Sequence, residues 1–384
     1  MQTSTDRILT THVGSLPRSA IVSELLLKKE LDGDYDQKQF NEVIQGAVSD
    51  VVRHQAELGI DVVSDGETSK IGYSTYIKDR CSGFGGGDYT PPIHLDLKDH
   101  PLYREMLAKA RTPQRFKRLC CVGPIEVKDR TQLATDLANF KTALSQTKVE
   151  DAFLNAASPG VIASFQPNRY YPTHEAYIEA LAAVLEEEYR AIVDAGFVLQ
   201  IDCPDFAMSR HTGFQELTDD EFFKRMAFHA EVLNQTLRNI PAESVRIHIC
   251  WGNYEGPHDF DIPLADILPI ILKVKAQAIS FEGANPRHEH EWTIWRDVKV
   301  PDDKVLLPGV LDTSTNYVEH PELVAQRIER YASVVGKERV IASTDCGFGT
   351  FAGSVSVEPG IADKKLKSLA QGAAIASRRL WGRG

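Results

Sequence analysis

No run in this 384-residue chain approaches the ~18 consecutive apolar residues needed to span a bilayer. The amino-terminal MQTSTDRILTTHVGSLPR has no basic start followed by an apolar core, so no secretory leader is expected. Cysteine is scarce: six in a chain of this length form no disulfide framework. Cys120 and Cys121 are adjacent in an apolar run and cannot both face one ligand, so core packing suits at least one of them. Net positive charge is also missing. Lys and Arg number 43 against 54 Asp and Glu, a formal charge of -11, which argues against a nucleic-acid footprint but leaves room for a local basic pocket. GFGGG (83–87) has the wrong spacing for a dinucleotide fingerprint, and no helix clearly opens after it. These absences leave a soluble, cytoplasmic protein that engages neither membrane nor nucleic acid, with homo-oligomerisation left open.

What is present is repeated strand–helix alternation. Strand-like runs occur at 8–15, 60–67, 118–127, 160–165, 197–204, 245–250, 278–283, 305–312 and 339–347. Between them lie helical patterns such as 40–59, 173–196 and 320–336, each ending in Gly, the usual residue past a helix C-terminus. Alternation over this length predicts an α/β fold with a parallel sheet, and the strand count favours a single (β/α)8 barrel over residues 1–384. Nine runs exceed the eight required. The surplus is assigned to RLCCVGPIEV (118–127), inside an insertion after the second strand at about residues 68–150.

Polar residues collect at the carboxyl ends of these runs, the face where barrel active sites sit. They are Ser15, Asp65, Glu67, Asp202, His248, Cys250, Glu282, Asp312 and Cys346. His248 and Cys250 are the most informative, because residues i and i+2 of a strand point to one face. A neutral imidazole and a thiolate converging on one point form half of a zinc site. Glu282 and Cys346, at two later strand ends, offer the other half of a tetrahedral N/S/O set. The alternative is a half-buried histidine beside an inert core cysteine. Glu282 weighs against it, since a charge after an apolar run is costly unless paired or metal-bound. Two other motifs are weaker. HEHEW (288–292) lacks metal-site spacing and reads as a solvated or loop segment. Tyr76, Lys78 and Arg80, in GYSTYIKDR, read either as an anchor for an anionic tail or as a solvated basic loop.

The order HVGSLPR, SDGE, IDCP, HIC, FEG, GVLD, DCG resembles the catalytic domain of cobalamin-independent methionine synthase over nearly the whole chain. The resemblance implies a (β/α)8 barrel whose zinc activates the sulfur of homocysteine. It implies His248, Cys250, Glu282 and Cys346 as zinc ligands, Ser15 in the thiol pocket, and Glu67 and Asp202 on the amino group of homocysteine. The chain looks like the shorter, single-barrel branch of the family, which is also similar to epoxyalkane:coenzyme M transferase. Three departures fall elsewhere. Cys203 stands where the family has Glu, Ser314 stands where it has a His linked to proton transfer, and Phe165 is offered where it has a Trp near the folate. The thiol half of the site matches better than the methyl-donor half.

A free thiol, with pKa near ~8.5, is a thiolate only to a small extent at neutral pH. Zinc binding deprotonates it, and Glu282, the hardest donor of the set, is the ligand expected to exchange. The thiolate then displaces an alkyl carbon in line, and a poor leaving group needs a proton. His211 and His258 are the leading candidates for that donor, with His12 and His320 behind them. The expected activity is zinc-dependent methyl transfer to homocysteine. Alkyl transfer to another thiol such as coenzyme M, a non-catalytic zinc- or thiol-binding barrel, and a closed structural zinc site are the alternatives.

Overall fold

The computed structural model describes residues 1–382 apart from 32, 34, 88 and 111–116. Eight parallel strands form one sheet. In chain order they are β1 (Leu9–Thr10), β2 (Val62–Val63), β3 (Asp151–Ala157), β4 (Val198–Asp202), β5 (Val245–Ile249), β6 (Ala278–Phe281), β7 (Val305–Leu311) and β8 (Ile341–Thr344). Sequential strands are neighbours from β2 to β8, and β8 pairs with β1. The β1–β2 seam closes without a regular ladder. Asp61 N–H donates to Thr10 O at 3.2 Å and the Thr11 hydroxyl donates to Val62 O at 3.0 Å, while the Asp61 carboxylate accepts from Thr10 N–H at 2.8 Å. The result is a (β/α)8 barrel with an insertion after its second strand. No helix among the described residues is long and apolar enough to cross a membrane.

The strands are buried almost throughout, as expected of a parallel sheet covered on both faces. Helix Gln37–Glu57 shows how the outer layer is specified. Asp36 caps it, accepting from Lys38 and Gln39 N–H, and Phe40, Ile44, Val48 and Val52 recur every fourth residue on the buried stripe. The barrel interior is partly polar. Arg246 on β5 donates to Gln200 Oε1 at 2.7 Å, Thr11 Oγ1 at 3.1 Å and His12 O at 2.9 Å, and its guanidinium lies 3.4 Å from the Phe153 ring centre. It sits one side-chain layer below His248.

One run differs from its sequence reading, and one barrel strand was not among the runs. Residues 160–165 are not a strand but part of helix Pro159–Phe165, capped by Ser158, which accepts from Val161 N–H. A short apolar run does not distinguish strand from buried helix, and the Ser-Pro pair before it is the N-cap and first-turn signal that decides. The barrel strand is the preceding Asp151–Ala157, whose three alanines and central Asn155 disguise it. RLCCVGPIEV does lie outside the barrel: Cys120–Cys121 pairs antiparallel with Phe84–Gly85. The chain between β2 and β3 also carries helices Pro101–Ala110 and Thr131–Ser145.

Candidate active site at the barrel mouth

The carboxyl ends of the strands bring most of the singled-out residues together. Asp202, His248 and Ser280 occupy matched positions on β4, β5 and β6, so their side chains lie side by side. His248 Nδ1 and Ser280 Oγ are 3.2 Å apart, while Nε2 is buried with no hydrogen-bond partner. Burial pushes the His248 pKa down to about 3, which keeps the ring neutral and its nitrogen lone pair available. Cys250 follows β5 and Cys346 follows β8, and their sulfurs are 3.8 Å apart. One ligand atom from each of His248, Cys250 and Cys346 lies within 4.8 Å of the other two, so this trio could hold a metal ion. Gly252 N–H donates to Cys250 Sγ at 3.3 Å, but the hydrogen bond with Cys346 and burial push the Cys250 thiol well up while no metal is bound.

Glu282 is buried just after β6 but is held differently. Oε1 accepts from Trp251 N–H at 2.7 Å and Oε2 from Asn285 at 2.8 Å. The trio of mutually close donors does not include it. Burial, more than any other influence, raises its pKa.

Ser15, Glu67, Asp202, His248, Cys250 and Cys346 all line one cavity of about 270 Å³. The loops after β1 and β8 are pressed together at Ser15: a Cβ on Gly347 would stand 2.0 Å from Ser15 Oγ. Glu67 adopts φ +52, a strained conformation for a residue with a side chain. Its backbone is fixed from both sides, N–H to Asp65 Oδ1 at 2.9 Å and C=O from Arg18 at 2.7 Å. Its Oε2 is buried without a hydrogen-bond partner, and burial, with help from Asp202, lifts its pKa to about 8. Asp202 accepts from Asn155 at 3.0 Å and Gln200 at 2.7 Å; burial raises its pKa to about 6 against those hydrogen bonds. Lys70, the cation that acts most strongly on both, donates to Asn155 O at 2.6 Å rather than to either carboxylate.

The two histidines considered as proton donors do not line this cavity. His211 is fully buried, 3.2 Å from Asp261. His258 has Nδ1 2.9 Å from Asp261 Oδ2 and Nε2 2.9 Å from Tyr254 O. Burial opposes its charge, but Asp261 prevails and raises the pKa to about 9. His258, Glu282, Ser314 and Cys346 instead border a second cavity of about 420 Å³ on the other side of Cys346. His12 bonds to Gln55 at 2.7 Å and reads as structural.

The structure corrects both weaker motifs. His288 of HEHEW is buried, bridging Asp261 at 3.0 Å and Glu291 at 2.8 Å, whereas His290 is exposed. Tyr76, Lys78 and Arg80 are neither solvated nor turned to a ligand. Lys78 pairs with Glu30 at 2.7 Å and Arg80 with Glu188 at 2.5 Å and Asp136 at 2.9 Å. Sequence reasoning missed Asn155, which clamps Asp202, and Tyr73 and Phe351, which wall the cavity. Asn155 was legible only as a polar residue within an apolar strand.

The chain is similar to known proteins over nearly its whole length. The chain is 23% identical over 372 residues to a methionine synthase of Sulfolobus acidocaldarius, covering 97% of this chain and 93% of that one. It is 25% identical over 375 residues to one from Thermococcus kodakarensis, covering 97% and 94%. A solved B12-independent methionine synthase from Shewanella sp. W3-18-1, in complex with selenomethionine, superposes with a TM-score of 0.75 at 19% identity, over 98% of this chain and 99% of that chain. At that identity the likeness is one of fold. The family model for the catalytic domain of cobalamin-independent synthase matches residues 8–84 and 127–358, and the chain belongs to that family.

Proposed function

We propose that this protein is a zinc-dependent methyltransferase that forms methionine from homocysteine. One observation carries the reading. Two buried atoms left without partners, His248 Nε2 and Glu67 Oε2, belong to residues lining one cavity, beside two cysteine sulfurs. The first suits a soft metal held with Cys250 and Cys346, and the second suits an ammonium. The relatives named as methionine synthases fit both.

Zinc, when bound by His248, Cys250 and Cys346, would hold the substrate thiol as a thiolate at neutral pH. Glu282 would be the fourth and weakest donor, its two oxygens held by Trp251 and Asn285. Glu67 and Asp202 bind the ammonium of homocysteine, which relieves the repulsion between two buried carboxylates. Ser15 packs beside the amino-acid portion. Together these contacts aim the sulfur toward the cavity, where most of the acceleration from positioning arises. Two carboxylates would repel the sulfonate of coenzyme M, which counts against that thiol. A closed structural zinc site is disfavoured because all three donors open onto the cavity.

The test has two parts. Metal analysis of Cys250→Ser and Cys346→Ser should show loss of one zinc per chain, and undiminished zinc in either variant rules out the ligand assignment. Calorimetry should then show homocysteine binding far more tightly than its deaminated analogue, with proton release. Equal affinity for the two would sink the roles of Glu67 and Asp202.

A further inference from the structure

The wall of the cavity beside the metal-site cysteines carries three aromatic rings. Tyr73 lies 5.7 Å from Phe165 and 5.8 Å from Phe351, centre to centre, and Phe165 and Phe351 are 6.4 Å apart. A charge placed over this triangle would be within reach of all three rings. The same cavity holds Glu67, Asp202, Cys250 and Cys346, and Arg118 is the only Lys or Arg among its described lining residues. Tyr73, Phe165 and Phe351 line the same cavity as Cys250 and Cys346.

From this we infer that the methyl donor is an onium compound, a sulfonium or quaternary ammonium, with its charged centre on the Tyr73–Phe165–Phe351 patch. The inference rests on the proposed methylation of homocysteine and specifies the donor for that site. Three features carry it. Aromatic faces attract onium methyl groups through the ring quadrupole. The surrounding carboxylates and thiolates favour a cation over an anionic or polyglutamylated donor. His258 lies outside the cavity, held by Asp261 and Tyr254, and His94, which lines it, is kept neutral by burial, so neither offers a protonated imidazole to it.

An onium donor makes that last feature intelligible. The homocysteine sulfur supplies an electron pair to the methyl carbon and forms the new S–CH3 bond. The old S–CH3 or N–CH3 bond breaks with its pair remaining on the departing atom. The leaving group is then a neutral thioether or amine that needs no proton. The thiol proton is lost earlier, to solvent, when homocysteine binds.

Binding is tested by calorimetry on the zinc-loaded protein with choline and its neutral carbon isostere, dimethylbutanol. Choline should bind about tenfold more tightly, within the range of cation–π contacts. The preference should shrink toward unity in Phe165→Leu and Phe351→Leu, which keep apolar bulk and remove the ring. Transfer is tested by supplying trimethylsulfonium, methyl-folate or methylcobalamin with homocysteine and measuring methionine. Methionine formed fastest from trimethylsulfonium supports the proposal. Equal affinity for choline and its isostere overturns it, as does turnover with methyl-folate or methylcobalamin but not with trimethylsulfonium; in both cases methionine synthesis still stands. Methionine from none of the three, with zinc bound, overturns the proposed activity and the donor with it.

Discussion

The loop after β2 supplies buried charges to two different places. Lys78, Arg80 and Tyr76 turn inward to Glu30, Glu188 and Asp136, so cation and anion meet within the protein. Glu67, eleven residues before Lys78, is just as buried but has an oxygen that meets nothing. Both groups bear the desolvation cost of leaving water. Only the first recovers it through partners already present. Burial alone therefore does not mark a functional residue, and neither does an unmet atom, since Arg80 Nε is also without a partner; an unmet buried atom on a residue that lines the cavity does. His248 belongs with Glu67 on this criterion, since Nε2 is equally without a partner.

The most severe way to break the functional group is to remove a metal ligand. His248→Ala and Cys250→Ser should lower methyl transfer by on the order of 10³ or more, ~30-fold from lost thiolate at pH 7 and the rest from lost positioning. Zinc content should fall with activity. The structural group should respond in the opposite pattern. Arg80→Met leaves Glu188 and Asp136 buried without their cation and should cost about 3–5 kcal/mol, lowering the melting midpoint by roughly 5 °C in a chain of this size. Its zinc content should not change. A loss of zinc in Arg80→Met at a temperature where the protein is folded would erase the distinction between the two groups.

How far the sequence revealed these roles depends on how local their causes are. The barrel was legible because alternation of strand and helix is local, and His248 with Cys250 because i and i+2 share a face. The mistaken strand at 160–165 and the missed β3 cancelled in the count of eight. Arg80 was misread because Glu188, its partner, is 108 residues away. A basic residue in a motif carries no sign of whether an acid awaits it inside the protein. The aromatic patch was hidden likewise: Tyr73, Phe165 and Phe351 come from three separate segments, and only Phe165 drew notice. Glu67 stood out as a strand-end carboxylate, yet its strained backbone and unpartnered oxygen could be seen only in three dimensions.

Glu67 offers a gentler, pH-dependent test. Its pKa is raised to about 8, chiefly by burial, with Asp202 and Asp65 reinforcing the rise and Lys70 and Arg18 opposing it. The folded protein therefore holds a proton that the unfolded chain, with a carboxyl near 4.5, gives up earlier. The resulting stability is fully present below the unfolded value and is lost as pH rises toward 8. Glu67→Gln should flatten that decline and be more stable than the parent at pH 8, by roughly 4 kcal/mol at most. Substrate binding should move the other way. Ammonium recognition requires the ionised carboxylate, so the homocysteine KM of the parent should fall between pH 6 and 8. In Glu67→Gln it should be higher, by about tenfold to a hundredfold, the range of a lost charged hydrogen bond, and nearly flat with pH. A parent KM that rises over that interval would remove Glu67 from the binding site.

The smallest effect is expected at Ser314. Its hydroxyl donates to Asp312 Oδ1 at 2.8 Å, and it borders the second cavity rather than the aromatic one. A histidine there would present its proton across Cys346 from the proposed donor site. General acid assistance is worth ~100- to 10,000-fold where a leaving group needs it. With a donor whose leaving group departs neutral, there is no such demand. Ser314→His should therefore change turnover with trimethylsulfonium by less than about threefold, the level of a side-chain change that takes no part in the transfer. Any gain should be confined to methyl-folate, whose departing amine does require a proton. A large gain with trimethylsulfonium would mean that proton delivery limits the reaction after all, and that the second cavity opens onto the reacting atoms.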